Sequence, residues 1–281
     1  MTLTSLSVVV SNETTDAPAL EATVTIALRE NAHLDVICLG VEPLPMTAMA
    51  MEGGAALVRD GDHAAAQERA MALGKWVQAA LPSSLRTRVQ RLTVASPGLS
   101  AEVAAAARCS DLAVTVRPYG PGHGAFAPVI GEALLFGTAG PVLVVPDKGG
   151  TGWSRPFRRL CLAWNGSDEA VRATRLAMPF LRQADQVDVA VIGTSARGPD
   201  QADSGEALSR WLSRHGIRAE VAMLARTERR KADVLAHFAA ERGCEALVMG
   251  AYGHSRLREM LLGGTTREML AEVPLPLIMA H

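Results

Sequence analysis

The residue types best suited to chemistry in this sequence lie near its C-terminus. Ala246-Leu247-Val248-Met249-Gly250-Ala251-Tyr252-Gly253 is followed, nine residues on, by Gly263-Gly264-Thr265-Thr266. Glycine lets a backbone approach a ligand closely and turn with positive φ. The first N–H groups of a helix have no helical partner and carry partial positive charge, so anions settle there. A strand ending at Gly250, a loop bounded by Gly253 and Gly263, and a helix opening at Gly264, Thr265 and Thr266 together make a phosphate cradle.

Other chemistries find little support. The glycine loop lacks the GK[ST] ending of a P-loop, and no lysine follows Lys231. No G-x-S-x-G elbow occurs. The seven histidines and four cysteines show no metal-ligand spacing. His254 stands without an acidic partner in the sequence, and Arg256 and Arg258 either reach a phosphate or remain in solvent. No carboxylate pair is spaced for acid–base catalysis.

A cradle of this kind needs a strand before it and a helix after it. The second half alternates β-rich runs near 159–164, 187–193, 218–225, 245–250 and 275–280 with helical patterns near 168–183, 203–215, 231–242 and 264–272. Such alternation predicts parallel strands joined by helical crossovers, an α/β class.

The first half repeats the order. Val8-Val9-Val10-Ser11-Asn12 aligns with Cys161-Leu162-Ala163-Trp164-Asn165, and Asp35–Gly40 with Asp188–Gly193, both at an offset of 153. Trp76, Cys109 and Pro141 align with Trp211, Cys244 and Pro276 at an offset of 135. The difference is an insertion between Gly40 and Trp76, read either as a flap or as a loop leading into the helix of Trp76. Two tandem domains are expected, 1–147 and 156–281, with the glycine-rich stretch after Asp147 as the seam.

At the second offset Gly250 falls on Thr115, Gly253 on Pro118, Gly263 on Pro128, Thr265 on Ile130 and Thr266 on Gly131. Proline offers no N–H to a phosphate. The second copy is built to bind, and the first is degenerate.

These residues resemble the universal stress protein family, whose pattern is glycine, two residues, glycine, nine residues, then glycine with a hydroxyl residue after the fourth strand. Gly250, Gly253 and Gly263 fit; Gly264 departs, standing where the family has its first hydroxyl. The family's Asp-Gly-Ser turn after the first strand is matched here by Asn165-Gly166-Ser167, which also reads as a helix N-cap. The resemblance implies two flavodoxin-like, doubly wound, five-stranded α/β/α sandwich domains. It also implies an adenine nucleotide, ATP with or without Mg, in the second. Asn165, Gly193 and Thr194 would serve the nucleoside; Gly250, Gly253, Gly263, Gly264, Thr265 and Thr266 would serve the phosphates. The two last strands would pair the copies within the chain, and a homodimer of whole chains stays open.

Composition narrows the rest. Net charge is −1 and charged residues are 20 % of the chain, which gives no basic surface for nucleic acid. No apolar run reaches the ~18 residues of a membrane span. The N-terminus lacks a signal peptide's basic region, and a cytoplasmic location is expected. Three functions remain: a stress-response protein that binds ATP without consuming it, a scaffold with both sites decayed, and a slow ATPase. The sequence leaves the protein partner unidentified.

Overall fold

The computed structural model describes residues 3–43, 54–120, 122–148, 152–193, 200–225, 229–252, 264–272 and 274–281, with the side chains of 54–61 and 200–204 outside that description. The first half runs β1 (Ser5–Val10), α1 (Ala17–Glu30), β2 (His33–Glu42), α2 (Gly54–Ala80), β3 (Thr87–Ala95), α3 (Leu99–Ala107), β4 (Leu112–Val116), α4 (Ala127–Gly137) and β5 (Val142–Val145). The second runs β6 (Arg159–Trp164), α5 (Asp168–Leu176), α6 (Met178–Leu181), β7 (Gln186–Ile192) and α7 (Asp200–Arg214). It continues with β8 (Ala219–Leu224), α8 (Lys231–Glu241), β9 (Ala246–Gly250), α9 (Thr265–Glu272) and β10 (Leu277–Ala280). The helix expected over 168–183 is split, because Pro179 sits in the first turn of α6, where a missing N–H is tolerated.

The strands form one sheet in the order β3-β2-β1-β4-β5-β10-β9-β6-β7-β8. Each half is a parallel five-stranded unit, and the halves meet where β5 and β10 pair antiparallel. The intramolecular pairing expected from the last strands is therefore present. Each half steps one way along the sheet for two connections and then reverses, and right-handed crossovers place its helices on both faces. Leu20, Ile26, Leu73 and Val77 of α1 and α2 share one core with Phe180, Leu181, Leu208 and Leu212 of α6 and α7. Val103, Leu134, Leu235, Phe238, Met269 and Leu270 of α3, α4, α8 and α9 fill the other. Strands buried on both faces carry apolar runs without alternation, as do Val8-Val9-Val10 of β1, Leu112-Ala113-Val114 of β4 and all of β5.

The sheet registers correct two alignments by one residue. Val8 pairs with Val36 while Leu162 pairs with Val189, so Val8 is the counterpart of Leu162, and both face the same core. Ala113 likewise corresponds to Leu247 across their partners Val142 and Leu277. Gly250 therefore falls on Val116, Tyr252 on Pro118 and Gly253 on Tyr119. Cys244 falls on Ser110 rather than on Cys109, which accounts for Cys109 being exposed while Cys244 is buried. A one-residue slip sends every side chain to the opposite face. The first copy still lacks the strand-end glycine and its follower.

The inserted segment includes residues 44–53, which lie outside the described residues, and continues into α2, 27 residues long against 15 for α7. Helix α2 crosses β2 so closely that a β-carbon at Gly40 would lie 1.9 Å from the Ala66 carbonyl oxygen. Beyond the seam the chain is anchored. Trp153 and Phe157 are buried, and the Arg29 guanidinium donates to the Trp153 and Arg155 carbonyls at 3.0 and 2.7 Å.

Candidate functional site

In each half the strand order reverses between its first and fourth strands. Open α/β sheets bind ligands at such a switch point, beyond the carboxyl ends of the strands. In the second half the switch lies between the paired strands β6 and β9. There the sequence places Asn165, one residue past β6, and Gly250, the last residue of β9.

The turn after β6 is tightly specified. Gly166 has φ of 73°, the left-handed region that favours glycine. Asn165 Oδ1 accepts the Ser167 N–H at 3.0 Å, and Ser167 Oγ accepts the Ala170 N–H at 3.2 Å. Ser167 is thus the N-cap of α5, and Asn165 holds the turn that presents it. The Asn165 side chain is exposed at the switch point.

Gly250 has a steric reason to be glycine. A β-carbon there would lie 2.7 Å from the Ala170 nitrogen and from the Glu169 carbonyl carbon. The end of β9 therefore rests directly on the first turn of α5. Gly193, just past β7, is less confined, since a β-carbon there would meet the Leu224 oxygen at 3.7 Å.

Past Gly250, Ala251 donates to the Ala280 carbonyl at 2.8 Å and Tyr252 adopts φ of 55°. The Tyr252 N–H donates to Thr266 Oγ1 at 3.1 Å, and Thr266 is 4 % exposed. Gly264 opens α9, accepting from the N–H groups of Arg267 and Glu268 at 2.9 and 3.2 Å. Thr265, half-buried, is the first residue of that helix. Gly253, Gly263 and Thr194 lie outside the described residues. The structure thus brings Asn165, Gly250, Gly264, Thr265 and Thr266 to β6, β9 and the helices these strands feed, with Gly193 just past the neighbouring strand β7.

Two ionisable side chains escaped the sequence reading because they are ordinary residues until folded. Glu169, in the first turn of α5, has its carboxyl lowered by its own backbone N–H, then by the Ser167 hydroxyl and the charges of His281 and Arg172, against the effect of burial. His281 lies 3.0 Å, through Nδ1, from the Ala251 carbonyl oxygen. Below the Asn165 turn, an apolar cavity of about 290 Å³ opens between α5 and α7, walled by Trp164, Val171, Leu208 and Trp211. The spacing of Trp164 and Trp211 gave no hint of it, since the two belong to different elements.

The same position in the first half is built differently. Asp16, 6 % exposed, accepts the N–H groups of Ser11 and Asn12 at 2.7 and 3.0 Å, so the turn after β1 bonds to itself. Pro118 packs on Gly131, and α2 lies over Gly40. Among the described residues no cluster of His, Cys, Asp and Glu is placed to hold a metal ion. No helix among them is long and apolar enough to cross a membrane.

Comparison with known proteins agrees with this architecture. Residues 156–281 match the model of the Universal stress protein family. Universal stress protein Slr1230 of Synechocystis is 22 % identical over 148 residues, which cover 52 % of this chain and 49 % of that protein, so the chain spans about half the length of this relative. A universal stress protein from Archaeoglobus fulgidus superposes over 98 % of this chain and 95 % of its own, with TM-score 0.68 at 16 % identity. A putative universal stress protein from Pseudomonas aeruginosa covers 99 % and 93 %, with TM-score 0.54 at 16 % identity. These structural likenesses extend the shared fold over both halves.

Proposed function

We propose, from a chain that belongs to the universal stress protein family, that its second half, 156–281, holds an adenine nucleotide and that its first half, 1–147, does not. The observation that carries this reading is the meeting of the Asn165 turn, Gly250 and the start of α9 at the switch point between β6 and β9. The first-turn N–H groups of α9 suit a phosphate, with Gly253, Gly263, Gly264 and the hydroxyl of Thr265 beside them. Thr266 serves through its backbone, because its hydroxyl already accepts the Tyr252 N–H. Asn165, Gly193 and Thr194 take the nucleoside end, where a β-carbon at Gly193 would make an ordinary contact with the Leu224 oxygen at 3.7 Å.

ATP is the nucleotide we assign, with Mg arriving on its phosphates rather than in a protein cage. The bound state regulates a protein partner in the cytoplasm. Titration calorimetry of the full chain with ATP tests this: one site is expected, and Gly253→Pro should abolish it. No heat at millimolar ATP with a folded protein would instead establish the scaffold reading.

Slow hydrolysis is a second reading, favoured by the Glu169 carboxylate within electrostatic reach of His281 beside Gly250. Phosphate release that disappears in Glu169→Gln would support it. Release that persists there would remove Glu169 from the chemistry, and no release from the wild type would remove the reading.

A further inference from the structure

Tyr252 joins β9 to the glycine-rich segment, and its backbone is in the left-handed region at φ 55°. A non-glycine residue held there costs about 1–3 kcal/mol and persists only when its surroundings fix it. Among the described residues, several of those surroundings come from the first half. Phe136, near the end of α4, lies 5.1 Å from the Tyr252 ring and 4.6 Å from the His281 ring, centroid to centroid. His281 in turn bonds the Ala251 carbonyl. Phe136 therefore touches, directly or through one imidazole, both residues that leave β9.

Tyr119 adds a second hold. Its hydroxyl is in the electrostatic neighbourhood of the Tyr252 hydroxyl and of Glu132 of α4. The Arg267 guanidinium, in the first turn of α9, sits over its ring at 5.2 Å. A cation over an aromatic face is attracted by the ring quadrupole. Tyr119 thus lies beside both Tyr252 and the helix start that follows the glycine loop. A third link, from Arg117 to the Ala271 carbonyl at 3.0 Å, fastens the far end of α9.

We propose that the first half, though it lacks the strand-end glycine, is a built part of the nucleotide site: Phe136 and Tyr119 are positioning residues that hold Tyr252 in its left-handed conformation and so preorganise the β9 end and the α9 start for phosphate. This rests on the nucleotide-binding reading above. It gives the degenerate copy a role that its own pocket does not. The held conformation also supplies the Tyr252 N–H to Thr266, which ties the two ends of the glycine segment together.

The test uses the full chain and ATP titration. Phe136→Ala should weaken ATP binding about tenfold, and Tyr119→Phe, which keeps the ring under Arg267 but removes the hydroxyl, about threefold. The decisive arm is Tyr252→Gly. Glycine adopts positive φ without the penalty, so Phe136→Ala in a Tyr252→Gly background should bind ATP within threefold of Tyr252→Gly alone. A role in general stability alone would leave Phe136→Ala as damaging in one background as in the other. Phe136→Ala binding ATP as the wild type does, in a folded protein, overturns the inference alone. So does a Phe136→Ala defect that Tyr252→Gly leaves unchanged. A wild-type chain that binds no adenine nucleotide overturns the parent reading and this one with it.

Discussion

The Tyr252 N–H donates to the Thr266 hydroxyl at 3.1 Å, and the counterpart pair in the first half is Pro118 packed on Gly131. The same contact between strand exit and helix start thus exists twice, made by a hydrogen bond in one copy and by apolar contact in the other. Proline has no N–H to give and glycine no hydroxyl to receive it. The two substitutions compensate each other, so the first copy keeps the closure while losing the polar groups.

Thr266→Val keeps the shape but removes the acceptor of the part-buried Tyr252 N–H. Such a loss costs about 1–3 kcal/mol. Thr266→Ser, which keeps the hydroxyl, should cost far less. Urea unfolding measures both, and amide exchange at Tyr252 should quicken only in the valine variant. Equal stability of the two variants would show that the hydrogen bond contributes nothing.

Gly250 and Gly193 separate packing from binding. A β-carbon at Gly250 would meet the α5 backbone at 2.7 Å, where neither partner can rotate away. Gly250→Ala should therefore destabilise the protein by about 1–3 kcal/mol, as overpacking does. Gly193→Ala meets an oxygen at 3.7 Å, an ordinary contact, and should leave the unfolding midpoint near the wild-type value. If Gly193 faces the base, the same change weakens ATP binding. A drop in midpoint without loss of affinity would move the base elsewhere.

Strand and helix positions were legible because apolar runs alternate with helical periods along both halves, and the repeat could be seen from Asp35–Gly40 against Asp188–Gly193. The exact register was not. Central strands buried on both faces show no apolar–polar alternation, so nothing local distinguishes Val8 opposite Cys161 from Val8 opposite Leu162. The turn at Asn165 and the cap at Ser167 could be read, because both bonds close within three residues. The contact of Tyr119 with Arg267 could not, since it forms only when β5 pairs with β10. The steric need for glycine at 250 was hidden for the same reason. It comes from Glu169 and Ala170, on a helix that precedes it by some eighty residues.

Leu143 and Ile278 lie opposite each other where the two halves join, both buried and on the same face. Truncating either to alanine should cost about 2–5 kcal/mol. Because they are neighbours in one seam, the double variant should cost less than the two losses added, whereas distant sites add. Both halves should still unfold in a single transition, as a continuous sheet requires. Two separated transitions in the wild type would mean that the seam does not couple them.

Asp147 provides a pH test of the polar network that joins it to Arg117 and His123 just past β4 and β5. Burial alone would raise its carboxyl, but the hydrogen bonds and charges of Arg117 and His123 outweigh it and hold the group below its ordinary value of 3.8. His123 Nε2 lies 3.0 Å from the carboxylate, and Arg117 also donates to the Ala271 carbonyl across the seam. A depressed folded-state pKa contributes stability that is fully present above the unfolded value and is lost as pH falls through the folded one. Asp147→Asn should therefore be less stable than the wild type at neutral pH and down to about pH 4. Below that the gap should narrow, as the wild-type carboxyl itself takes up a proton. Thermal unfolding of both proteins from pH 7 to pH 3 measures this, and a gap that stays constant across the range would show that the Asp147 charge does not hold Arg117 and His123 in place.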